Sequence, residues 1–84
     1  MTRTELTIGT EIDWTLCDLI ERVPGKVSGR PIVCGTRILP DAIVDSYDLG
    51  ETLEELSAGF PSLSRAKIVR LIEFAHAQRG QPGL

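Results

Sequence analysis

Ser64-Arg65-Ala66-Lys67-Ile68-Val69-Arg70-Leu71-Ile72-Glu73-Phe74-Ala75-His76-Ala77-Gln78 carries its apolar residues at helical spacing. Ile68, Leu71, Ile72 and Ala75 recur at i, i+3, i+4 and i+7, the stripe of a helix with one buried face. Ser64 stands where an N-cap accepts a first-turn N–H, and Gly80 and Pro82 end the pattern near Gln78. This predicts a long C-terminal helix, and the upstream chain must supply what covers it.

Two shorter helices precede it. Thr52-Leu53-Glu54-Glu55 fits a capping box, so a helix starts near Leu53, with Leu53, Leu56 and Phe60 on one face. Gly59 and then Phe60-Pro61 stop it after about two turns. Further upstream, Pro40 suits a helix entry, Ile43, Val44 and Tyr47 make an apolar face, and Gly50 suits a left-handed C-terminal cap. Asp41, Asp45 and Asp48 then read as an exposed acidic face.

Before Pro40 the chain is punctuated rather than periodic. Pro24-Gly25 signals a turn, Val27 and Pro31-Ile32-Val33 read as extended pieces, and Cys34-Gly35-Thr36 reads as a second tight turn. Trp14, Leu16, Leu19 and Ile20 add apolar weight, compatible with a strand or a helical turn. Residues 1–12 alternate, with Leu6, Ile8 and Ile12 on one side, as in a short strand or a loosely held arm. The expected class is mainly α, a three-helix, helix-turn-helix-like bundle over 40–79 preceded by a small β arm over 1–39. Residues 80–84 are expected to form a frayed tail on this one compact domain.

A chain of 84 residues supports one domain with a small core, since about 60% of the unfolded surface is buried at this size; oligomerisation is therefore expected. No apolar run approaches the ~20 residues of a membrane span. A basic segment followed by an apolar stretch is missing from the first residues, so a signal peptide is not indicated and the cytoplasm is the expected location. Cys17 and Cys34 lack the paired spacing of zinc ligands and are expected as small apolar core residues in a reducing compartment. No calcium-type loop accompanies Asp41, Asp45 and Asp48, there is one His, and neither a nucleophile elbow nor a phosphate-cradling loop occurs. The chain reads as a binding protein, not an enzyme, with no metal or other cofactor.

Net charge is formally −3, but its distribution is uneven. Arg22, Lys26, Arg30 and Arg37 face no acid between residues 22 and 37, six acids and no base lie between 41 and 55, and Arg65, Lys67, Arg70 and Arg79 outnumber Glu73 near the end. A basic last helix after a short one suggests DNA recognition, with Arg70 opposite the Ile68 stripe and Arg65 and Lys67 on its flanks. The connection after Gly59 is longer than the usual turn of a helix-turn-helix, however. Ala66, Val69 and Ala77, with Phe74 off to one flank, also offer a second apolar face, which fits a partner helix or a dimer contact. Operator DNA (Arg65, Lys67, Arg70) and DNA-free association or homodimerisation (Ala66, Val69, Phe74) are thus both expectations.

Three runs also resemble a known family. They are Gly29-Arg30-Pro31-Ile32-Val33-Cys34-Gly35-Thr36-Arg37-Ile38, Gly50-Glu51-Thr52-Leu53-Glu54-Glu55-Leu56, and Phe60-Pro61-Ser62-Leu63-Ser64 with Ile68. Together they resemble domain of unknown function 433 over roughly residues 20–78, in order and spacing. The resemblance implies a homeodomain-like three-helix DNA-binding unit behind a β arm. It also implies an antitoxin role, with a cognate nuclease toxin of the PIN-like class as partner. Gly29, Pro31, Gly35, Thr36 and Arg37 match the arm motif, and Glu54, Glu55, Pro61 and Leu63 match the helical one. Cys34 departs from the family, which often has a basic residue there.

Overall fold

The computed structural model describes residues 12–80. The alternation expected over residues 1–12 lies outside these except for Ile12, as does the tail beyond Gly80. Two short strands, β1 (Ile20–Glu21) and β2 (Ile32–Val33), pair antiparallel with Ile20 opposite Val33 and Glu21 opposite Ile32. Three helices follow: α1 (Pro40–Asp48), α2 (Leu53–Gly59) and α3 (Arg65–Gln78). The protein is mainly helical, with α1, α2 and α3 packed on one another behind a two-stranded hairpin.

Local chemistry sets each boundary. Pro40 opens α1 at the first position, where its missing N–H costs nothing. At the other end Gly50 adopts φ +112°, so that its N–H reaches the Tyr47 carbonyl at 3.0 Å and the Glu51 N–H reaches Ser46 at 3.1 Å. The capping box of α2 is complete: Thr52 Oγ1 accepts from the Glu55 N–H at 3.1 Å and the Thr52 N–H donates to Glu55 Oε1 at 2.8 Å. Ser64 Oγ accepts from the Lys67 N–H at 3.2 Å at the start of α3.

One core joins arm and helices. Ile43 and Val44 of α1, Leu56 of α2, and Ile68, Leu71, Ile72 and Ala75 of α3 cluster with Trp14, Cys17 and Val33 from the arm and Leu63 from the α2–α3 connection. Cys34 differs from expectation: it is exposed, because the turn after β2 points it to solvent while Cys17 alone enters the core. That turn explains the Gly35-Thr36 pair. Gly35 sits at φ +77° and donates its N–H to Glu21 Oε2 at 3.0 Å, and Thr36 Oγ1 bridges the Val33 carbonyl (2.7 Å) and the Ile38 N–H (3.0 Å).

Of residues 14–20, expected as strand or helical turn, Trp14–Leu16 forms a single 3-10 turn and Ile20 opens β1. Val27 also departs from its extended expectation. Val27, Ser28 and Gly29 take φ of +50°, +55° and +73° in succession, a left-handed turn. Such a conformation costs roughly 1–2 kcal/mol at an L residue and is a genuine outlier for a β-branched one. Asn visits this region readily, so Val27→Asn should stabilise the domain by about 1 kcal/mol, raising the melting temperature by about 4–8 °C. Scanning calorimetry checks the sign directly.

Candidate functional site

Arg65, Ala66 and Lys67 occupy the first turn of α3, and all three are exposed. On a helical projection Ala66 lies between the two cations, about 100° from each. Arg65 and Lys67 make no ion pair with any described residue, and no acid stands in that turn. The partial positive charge of a helix N-terminus disfavours cations by roughly 0.3–1 kcal/mol each, so folding does not call for them here. Ser64 caps the Lys67 N–H, so the remaining first-turn N–H groups of Arg65 and Ala66, with two side-chain cations and a small residue between them, concentrate positive potential on one solvent-facing end.

Arg70 is placed differently from its neighbours. Its guanidinium donates to Asp18 Oδ1 at 2.9 Å, on a surface where its side chain remains 56% exposed. One turn on, Phe74 stacks on Trp14 with ring centroids 5.4 Å apart and planes at 26°. A further turn on, Gln78 Oε1 accepts the Asp13 N–H at 3.2 Å. Trp14 also donates its indole N–H to Asp41 Oδ1 of α1 at 2.9 Å. Residues 13–18 thus form a clamp running antiparallel to the Arg70, Phe74, Gln78 edge of α3.

This clamp reassigns several side chains. Phe74 packs into the molecule rather than standing on a second outer face, which leaves exposed Ala66 and Ala77 and half-buried Val69 there. The acidic face of α1 is engaged at both ends. Asp41 holds Trp14, and Asp48 receives Arg79 Nη1 at 2.7 Å and lies 3.5 Å from His76 Nε2. Sequence reasoning missed the clamp, whose faint signal was the i, i+4, i+8 spacing of Arg70, Phe74 and Gln78.

The arm-motif residues split into two roles. Gly29, Gly35 and Thr36 shape turns, whereas Arg37 is exposed and makes no ion pair with a described residue. Pro31 borders a cleft of about 230 Å³ with Trp14, Thr15, Ile20, Glu21 and Arg22. Pro61 lies exposed in the α2–α3 connection, residues 60–64. Among the described residues no group of three or more His, Cys, Asp or Glu is placed to hold a metal ion. No described helix is long and apolar enough to cross a membrane.

Comparison with known proteins adds one finding. No curated protein and no solved structure matches the chain. The family model described as protein of unknown function (DUF433) matches residues 20–75, from β1 through most of α3. The clamp residues Asp13, Trp14 and Asp18 lie before that match and Gln78, the partner of Asp13, lies beyond it, whereas Asp41, Arg70 and Phe74 lie within it. With two thirds of its length matched, the chain belongs to the DUF433 family.

Proposed function

We propose that this protein is an antitoxin-type regulator that binds a cognate nuclease-like toxin and, as a dimer, contacts operator DNA through the first turn of α3. The observation that carries the DNA contact is the cationic N-terminal turn of α3, where Arg65 and Lys67 flank Ala66 without an acidic partner among the described residues. A phosphate placed there meets two cations and the positive end of a 14-residue helix. Arg70 adds a third cation, because a surface pair such as Arg70–Asp18 is worth only about 0–1 kcal/mol and yields readily to phosphate. The toxin partner rests on the family resemblance alone. A DNA-free association module is the second reading, favoured by exposed Ala66 and half-buried Val69 on the same side of α3.

Fluorescence anisotropy with duplex DNA from upstream of the gene tests the DNA contact. Binding should weaken steeply with salt, and Arg65→Ala/Lys67→Ala should lower the slope of log K against log salt by about 2 for each protomer bound, about 4 for a dimer. Salt-indifferent binding, or a double variant that binds like wild type, refutes the assignment. Co-expression with the neighbouring reading frame tests the toxin: a neighbour harmless on its own counts against it.

A further inference from the structure

Two surfaces outside the α3 turn have opposite character. The first is the cleft of about 230 Å³ walled by Trp14, Ile20 and Pro31, with Arg22 at its edge. Continuing the strand register places Arg22 opposite Pro31, next to Arg30, and Lys26 lies in the loop that joins them. Glu21 also lines the cleft, and its Oε2 accepts the Gly35 N–H at 3.0 Å. No acid occurs from residue 22 to residue 40, and neither Arg22, Lys26 nor Arg30 forms an ion pair with a described residue. The cleft is an apolar socket with Arg22 at its rim and Lys26 and Arg30 close by in sequence.

The second surface is its complement. Leu49, just beyond α1, is 88% exposed, the most exposed large apolar side chain among the described residues. Asp45, Glu51 and Glu54 surround it in sequence, all exposed and without an ion-pair partner among the described residues. Leu16, the other exposed large apolar residue at 68%, belongs to the 3-10 turn beside the socket. Each exposed leucine therefore marks one of two surfaces with opposite sign of charge nearby.

We propose that the chain self-associates, with Leu49 of one copy seated in the Trp14–Ile20–Pro31 socket of a second and the carboxylates around it facing Arg22, Lys26 and Arg30. A second copy is favoured over nucleic acid because a phosphodiester backbone satisfies the cations but brings no aliphatic side chain to the socket. The chain itself carries both halves, and a core this small gains from added burial. Used reciprocally about a two-fold axis, the contact makes a closed dimer; used once per pair, it grows an open array. The proposal stands whether or not α3 binds DNA.

Sedimentation velocity across the micromolar range tests it, with Trp14 emission as a second readout because it is the only tryptophan. Wild type should associate, less so at high salt, with an emission shift that follows concentration. Leu49→Ala should weaken association about tenfold or more, without loss of helix content because the side chain is exposed. Arg22→Glu/Arg30→Glu and Glu51→Lys/Glu54→Lys should each be monomeric, and their mixture should recover a one-to-one complex. A monomer at every concentration overturns the proposal. So does association that ignores these variants but is lost in Val69→Glu, which moves the contact to α3. A Trp14 shift on adding duplex DNA to a chain that stays monomeric overturns it too, and assigns the socket to nucleic acid.

Discussion

Trp14→Ala should cost about 3–5 kcal/mol, the largest effect expected of any single substitution in this protein. Trp14 is 3% exposed, stacks on Phe74 and donates its indole N–H to Asp41. Truncation removes all three interactions together and leaves a void between arm, α1 and α3. Domain stabilities run about 5–15 kcal/mol, and a core of this size belongs near the lower end, so the variant should be largely unfolded at physiological temperature. Circular dichroism melts check this, and Trp14→Phe separates the contributions. Phe retains most of the apolar packing but leaves Asp41 without its donor, so it should lose about 1–3 kcal/mol. A melt of Trp14→Ala indistinguishable from wild type would show that the arm contributes nothing to the core.

Leu56→Ala ranks second, at about 2–5 kcal/mol. α2 has seven residues, and Leu56 is its one fully buried side chain, so the substitution strips the helix of its main anchor to α1 and α3. A helix this short has no stability of its own in water. Urea denaturation should show a lower midpoint, and hydrogen exchange should show protection lost first over residues 53–59. Retained protection there would mean that the capping box and Leu53 hold α2 without Leu56.

The helical half of the fold was legible because its signals are local. Pro40, Gly50, the Thr52–Glu55 box, Ser64 and the Ile68 stripe each act within one or two turns, and each does so in the structure. The arm was less legible because its conformation depends on partners far along the chain. Val27 reads as extended by propensity yet is held left-handed by a turn in which the Arg30 N–H bonds its carbonyl at 3.0 Å. Cys34 reads as core by residue type, but the position of the turn after β2 decides its exposure. At α3 the flanking positions of Arg65 and Lys67 followed from helical projection, whereas the ties to Arg70 and Phe74 come from residues 52 and 60 positions away, beyond any periodicity.

The clamp carries a kinetic consequence. Asp13 meets Gln78 across 65 residues and Asp18 meets Arg70 across 52, so these contacts close the longest loops among those described for the clamp. Closing loops of that length costs entropy that the short-range helices never face. The clamp is therefore expected to close late, after the helices have packed on one another. In stopped-flow refolding, the Trp14 fluorescence change should lag behind the rise in helical ellipticity, and simultaneous changes would show that the clamp forms with the helices.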